Sequence, residues 1–248
     1  MPLPPFTLRS DAVRGRTILV TGATSGLGRA LSLALARHGA TVVLSGRSQA
    51  KLERVYDEIE KLGAPQPAIA ALDLATATAA GYDGLADVLG REFPALDGLV
   101  HAAALLGERT PLEQYDVPTW CRVMHVNLTA PLILTQVLLP LLRKSAAASV
   151  LFVSSGVARD PAPYWGAYAV SKAGLEAVRT LFAKELGSVS SVRVNSVSPG
   201  RLRTPMRAAA YPAEDPNTLP TPESVCDAFL YLLSEDSRQI SGEYVTLG

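Results

Sequence analysis

The sequence predicts an α/β fold, a doubly wound parallel sheet of about seven strands with helices on both faces. Three observations predict it. Short runs rich in β-branched residues alternate with stretches of helix length. The runs are continuously apolar instead of alternating, so both faces of each strand are covered. A glycine-rich turn joins the first run to the first helix. No internal repeat or interdomain linker interrupts the series, and residues 1–248 read as one domain.

Taken in order, residues 1–15 carry prolines and scattered charge without an apolar stretch of signal-peptide length, and read as an arm leading into the fold. Seven strand candidates follow: "TILVTG" from 17, "ATVVLSG" from 40, "PAIAALDL" from 67, "LDGLVHAAA" from 96, "ASVLFVSS" from 148, "SVRVNSVSPG" from 191 and "EYVTLG" from 243. Amphipathic stretches at 27–39, 49–62 and 222–234 predict helices, the last with Thr221 as N-cap before a first-turn proline. The run "LTAPLILTQVLLPLL" at 128–142 is interrupted by Thr, Gln and Pro and is shorter than the roughly 20 residues that span a bilayer. It predicts a buried or subunit-interface helix. Residues 201–220 hold four prolines and two acidic residues, long for a connection in a compact domain. Beside the carboxyl end of a strand, that segment reads as a substrate lid or as a mobile surface loop.

Composition narrows the function. With 23 basic and 23 acidic residues the formal net charge is zero, so no global field draws the chain to nucleic acid or to an anionic membrane. Neither is expected as a partner; a small molecule is. Cys121 and Cys226, the two cysteines, have neither metal-ligand spacing nor disulfide-scaffold density. They read as buried thiols in a reducing, cytoplasmic compartment, and no metal site is expected.

The turn "TGATSGLG" puts Gly22, Gly26 and Gly28 between a strand and a helix. Missing side chains let backbone N–H groups and the helix N-terminus approach a pyrophosphate, so Thr24, Ser25 and Leu27 join the three glycines as a candidate cofactor loop in a Rossmann-like sheet. Glycines also serve tight turns that hold no ligand. At the tip of the second strand, Gly46 and Arg47 stand where a site for an unphosphorylated ribose carries an acidic side chain. A guanidinium there pairs with a 2′-phosphate, which favours NADP(H) over NAD(H); the other reading is a solvated charge at a helix start. Asp73, followed by Leu74, ends the third strand candidate and either accepts the adenine amino group or caps a helix.

Ser155 ends the fifth strand candidate, and Tyr168 and Lys172 lie on the helix after it. The i, i+4 pair shares a face, about 6 Å apart along the axis. A tyrosine titrates near about 10, so phenolate at neutral pH requires about 4 kcal/mol. A cation about 4 Å away at an effective dielectric of about 20 supplies that much. The spacing permits Tyr168 as general acid/base with Lys172 as its electrostatic partner. It also describes an ordinary amphipathic face with a snorkelling lysine.

Together with "DL" at 73, "VNL" at 126, "SS" at 154, "YAVSK" at 168 and "PG" at 199, these motifs resemble the short-chain dehydrogenase/reductase family in its single-domain branch, over nearly the whole chain. The resemblance implies a dehydrogenase or reductase acting on CH–OH and C=O groups with NAD(P). It assigns the acid/base to Tyr168, ribose binding to Lys172, polarisation of the substrate oxygen to Ser155, and a helix-holding, water-binding role to Asn127. Pro199, Gly200 and Thr204 would hold the nicotinamide end. The resemblance also implies a homodimer or homotetramer, through the 128–142 run and the small-residue face of the 168–183 helix. "DPAPYWGAYAVSK", "TPMRAAAYPAEDP" and "EDSRQISG" look like the YciK-type bacterial oxidoreductases within the family. Tyr164, Trp165 and the rest of 156–165 are expected to line the substrate pocket, with Ser154 turned to the other side of its strand.

One motif departs from the family. Where N-N-A-G is usual the chain reads "HAAA", so Ala102 lacks the sheet-bridging polar side chain and Ala104 adds a methyl near the adenosine side. This motivates a rival reading, a dinucleotide-sensing or scaffold protein without turnover. An NAD-preferring dehydrogenase is the other alternative. His101, His38 and His125 read as packed, hydrogen-bonded histidines.

Overall fold

The apolar runs become the strands of one sheet in the computed structural model, which describes residues 1–247. Among the described residues the strands are β1 (Thr17–Thr21), β2 (Thr41–Gly46), β3 (Ala68–Ala71), β4 (Gly98–His101), β5 (Ser149–Val153), β6 (Arg193–Ser198) and β7 (Tyr244–Thr246). Gly248, the end of the last predicted strand stretch, lies outside them. The order is β3-β2-β1-β4-β5-β6-β7, and each neighbouring pair is parallel. Because the order reverses between β1 and β4, the chain leaves these two strands in opposite directions and a crevice opens at their carboxyl ends. Thr21 sits beside Ser45 on one side and His101 on the other, so three strand ends share its floor.

Strand alternation divides the core. Ile18, Val20, Val42, Leu44, Val100 and Leu151 pack on one face with Phe229 and Leu230. Leu19, Val43, Leu99, Val150 and Phe152 pack on the other with Leu134, Leu138 and Leu175. Neighbours along one strand thus enter different cores, which is why the runs are continuously apolar. Each fully buried side chain of this size stabilises the fold by about 1.5–3 kcal/mol.

The helices are α1 (Gly26–Arg37), α2 (Gln49–Lys61), α3 (Ala79–Glu92), α4 (Val117–Met124), α5 (Ala130–Leu142), α6 (Gly166–Leu186), α7 (Pro205–Ala210) and α8 (Cys226–Leu233). Two of them carried readable caps that the periodicity reading passed over. Thr78 accepts the Gly81 N–H at 3.3 Å ahead of α3, and Asp116 accepts the Thr119 N–H at 2.7 Å ahead of α4, with Pro118 in the first turn.

Several expectations need correction. The 222–234 stretch begins as a 3-10 turn, Pro222–Val225, because the Thr221 carbonyl accepts from Ser224 three residues on; the Thr221 side chain makes no cap bond. The 128–142 run is the second half of one continuous 26-residue helix, Val117–Leu142, with a π turn at His125–Thr129. That helix has the length and apolarity of a membrane span, yet half of its most apolar stretch is buried in the protein core. The 201–220 segment is not an unbroken loop: it contains α7 and a 3-10 turn, Pro216–Thr218. Cys121 is exposed, because α4 buries Val123, and two residues turn the helix by about 200° to the opposite face. Cys226 is buried as expected. The N-terminal arm is held against the fold: Phe6 stacks on Tyr231 at 4.5 Å, and the Met1 carbonyl accepts the Thr246 N–H at 3.1 Å.

Candidate active site

A cavity of about 1070 Å³ runs along the crevice at the strand ends. Its wall holds Gly22, Thr24, Ser25, Gly26, Leu27 and Gly28 from the first turn, and Arg47, Asp73 and Leu74 at the far end. Ser155, Tyr168, Lys172, Pro199, Gly200 and Thr204 stand at the near end. Among the expected catalytic and cofactor residues, Asn127 alone lies behind this wall.

The glycines are there for space and for backbone conformation. A Cβ on Gly28 would sit 2.3 Å from the Gly22 carbonyl oxygen, and one on Gly22, whose φ is +67°, would sit 2.8 Å from Ala103 Cα. Gly26, at φ +49°, faces the Thr204 methyl, which brings the first turn up to the lid. Thr204 caps α7 by accepting the Arg207 N–H at 3.2 Å. Asp73 serves a local turn, its Oδ1 accepting the Ala75 N–H at 3.0 Å, while its side chain still borders the cavity. Arg47 is exposed at the mouth, and Lys51, in the first turn of α2, borders the same end. Lys51 is the second cation that the glycine turn does not supply; its place in the first turn of the helix that follows the second strand was the signal for it.

At the other end, Lys172 is 2% exposed and its ammonium donates to the Val153 carbonyl at 2.6 Å. Burial pushes it down to about 8, with Glu176 acting the other way. Burial pushes the Tyr168 phenol up to about 12, with the neighbouring Ser155 side chain acting the other way. The expected lowering of Tyr168 by a close ammonium is therefore absent. Lys172 Nζ lies 5.7 Å from the ring centroid and is turned to the strand carbonyl, so desolvation prevails over Coulomb attraction.

Asn127 sits inside the π turn and ties three pieces together. Its Oδ1 accepts the Leu105 N–H at 2.8 Å, and its Nδ2 donates to the Leu105 carbonyl at 2.8 Å and to Ser171 Oγ at 3.1 Å. The extra residue of the π turn is what aims this side chain at the β4 exit and at α6 together.

The "HAAA" departure is compensated from β1. Thr21 Oγ1 donates to the Val100 carbonyl at 3.4 Å and accepts the Ala103 N–H at 3.2 Å, so a hydroxyl from the neighbouring strand makes the polar bridge that Ala102 cannot. Ala102, Ala103 and Ala104 all line the cavity. His101 is buried, stacked on Phe152 at 4.8 Å, with Nε2 2.9 Å from Thr135 Oγ1. That hydroxyl already donates to the Pro131 carbonyl, so Nε2 carries the proton. Burial, aided by the Lys172 charge, pushes the imidazole down to about 3 and keeps it neutral. His101 is a packing residue, as expected.

Trp165 lines the cavity, but Tyr164 does not: at φ +69° it is turned outward and 55% exposed. Ser154, expected to face away, also borders the cavity, because past Val153 the strand has ended and both of its sides meet the crevice. Its Oγ is buried without a partner, a polar atom at the wall awaiting one. With this orphan, the glycine cradle and the cavity's volume, the residues fit a dinucleotide laid from Arg47 to Lys172.

A parallel sheet with a glycine turn and a Ser–Tyr–Lys group on one crevice defines a dinucleotide-fold oxidoreductase. Comparison makes the class specific: the short chain dehydrogenase profile matches residues 16–215, and the chain belongs to that family. It is 43% identical over 234 residues to the uncharacterised oxidoreductase YciK of Escherichia coli strain K12, across 94% of this chain and 92% of that protein. Two crystal structures of short chain dehydrogenases superpose with a TM-score of 0.93, each covering 96% of this chain and 99% of its own. One, from Escherichia coli CFT073 in complex with NADPH, is 43% identical. The other, from Shigella flexneri 2a strain 301 in complex with NADP, is 41% identical.

Proposed function

We propose that this oxidoreductase is NADP(H)-dependent and transfers hydride between nicotinamide and a carbonyl or alcohol substrate, with Tyr168 moving the proton. One observation carries the proposal: Tyr168, Lys172 and Ser155 open on the same cavity as the glycine turn. When bound, the cofactor supplies or accepts the hydride. The chain's own residues do the rest. A phenol near 12 stays protonated throughout the neutral range, so Tyr168 is loaded to donate its proton to the carbonyl oxygen as negative charge develops there. Ser155 donates a hydrogen bond to that oxygen and holds it within reach of the phenol. Lys172, fixed by the Val153 carbonyl, presents its charge to the ribose and lowers the energy of the phenolate once the proton has left. Asn127 holds the π turn to α6 and so fixes the helix that carries both groups.

The preference for NADP(H) over NAD(H) rests on Arg47 and Lys51 at the adenosine end, with no acidic residue at the strand tip to oppose a 2′-phosphate. The two NADP-bound relatives support it. We further propose a cytoplasmic homodimer or homotetramer formed through α5 and α6, where Leu132, Val170 and Leu181 are exposed. The scaffold reading is less favoured, because Thr21 restores the bridge whose loss motivated it.

A carbonyl panel with NADPH tests the proposal. Turnover is expected in the wild type and is expected to vanish in Tyr168→Phe while NADPH still binds. NADPH binding with no Tyr168-dependent turnover on any carbonyl or alcohol would leave the scaffold reading in its place.

A further inference from the structure

Arg109, in the loop between β4 and α4, is absent from the motifs above, and its surroundings are unusual. Its guanidinium lies 4.8 Å from the Trp165 ring centroid and 4.6 Å from that of Tyr211, and the two rings are 6.2 Å apart. Its Nη1 donates to the carbonyl of Ala210, the last residue of α7, at 2.7 Å. Three segments distant in sequence therefore meet on one side chain: the β4–α4 loop, the entry to α6 and the end of the lid helix. The stack continues both ways. Trp165 is 5.5 Å from the Tyr168 ring, and Arg207, held by Glu214 at 2.6 and 2.7 Å, lies 3.8 Å from the Tyr211 ring. Trp165, Ala210 and Tyr211 line the cavity, and Arg109 stands behind them.

We propose that Arg109 is a positioning residue for the substrate: it clamps Trp165 and Tyr211 together and ties α7 to the β4–α4 loop, which gives the wall beside Tyr168 a single shape. A planar guanidinium can stack on two rings and donate in its own plane at the same time; an ammonium cannot. Arg207 has a carboxylate partner in this lid, whereas Arg109 has none among the described ion pairs and leaves its Nε buried and unpartnered. Its place is thus fixed by the rings and by Ala210, and holding them is its role. The inference rests on Tyr168 as the reacting group.

The test compares Arg109, Arg109→Lys and Arg109→Ala in a Trp120→Phe background, so that fluorescence reports Trp165. Arg109→Ala is expected to shift Trp165 emission to the red and to raise the KM for a carbonyl substrate about tenfold, or about 1.4 kcal/mol, because the guanidinium leaves both rings at once. The change in kcat should be smaller, and NADPH affinity and Tm should hold. Arg109→Lys should behave as Ala does, because charge without a plane does not stack. Unchanged emission and KM in Arg109→Ala, full rescue by lysine, or a joint loss of NADPH affinity and Tm would each overturn the proposal. If the wild type turns over no carbonyl, the functional reading has failed, and the clamp is judged on Trp165 alone: a red shift and greater acrylamide quenching in Arg109→Ala uphold it, and unchanged values refute it.

Discussion

Replacing Lys172 with methionine should stabilise the protein at neutral pH while removing turnover. The ammonium is 2% exposed, and burial pushes it from 10.5 down to about 8. That fall corresponds to about 3 kcal/mol of destabilisation from keeping the charged form inside the fold. Between pH 8 and 10.5 the unfolded chain holds this proton and the folded chain does not, so the wild type gains stability as pH rises through that window; below pH 8 the full penalty is present. Methionine carries no charge and leaves only the Val153 carbonyl without its donor, a loss of about 1 kcal/mol. The net gain is about 2 kcal/mol at pH 7, or roughly 4–8 °C in Tm for a chain of this size. Thermal and urea denaturation of the ligand-free proteins at pH 7 and pH 10 measures it. The gap between variant and wild type should be largest at pH 7 and should have mostly closed by pH 10. A variant less stable at pH 7, or a gap equal at both pH values, would refute the reasoning.

Arg47→Ala should weaken NADPH binding by about tenfold or more through loss of a charge-assisted hydrogen bond and leave NADH nearly unchanged; titration of both cofactors checks this, and equal losses would contradict it. Gly28→Ala forces a methyl to 2.3 Å from a backbone carbonyl that cannot yield, and should lower stability by about 1–3 kcal/mol together with cofactor affinity. Thr135→Val leaves the buried Nε2–H of His101 unpaired, and chemical denaturation should show a loss of about 1–3 kcal/mol, with kcat unchanged if His101 only packs.

The sheet was legible because two-sided burial writes continuous apolar runs, and all seven predicted runs contain a strand. Glycine spacing located the cofactor turn, and the i, i+4 pair located Tyr168 and Lys172, since these patterns follow from backbone geometry alone. What escaped were quantities set by tertiary surroundings. Nothing local showed that Lys172 would bond to Val153 instead of approaching the phenol. The bridge from Thr21 to Ala103 joins residues 82 positions apart, so the alanines at 102 and 104 suggested a weakness that a neighbouring strand repairs. The role of Arg109 depends on a hydrogen bond to Ala210 across 101 positions, which no periodicity encodes. The exposed face of α4 was misread at Cys121, because thiols are more often buried and only helix phase assigns the exception.

The most direct test of hydride transfer with Tyr168 as proton donor follows the atoms. With NADPH deuterated at C4 and a carbonyl substrate drawn from the panel, the product alcohol should carry deuterium on the former carbonyl carbon. Tyr168→Phe should bind NADPH as before and form no deuterated product. Product without deuterium, or wild-type deuterium transfer in Tyr168→Phe, would contradict the account.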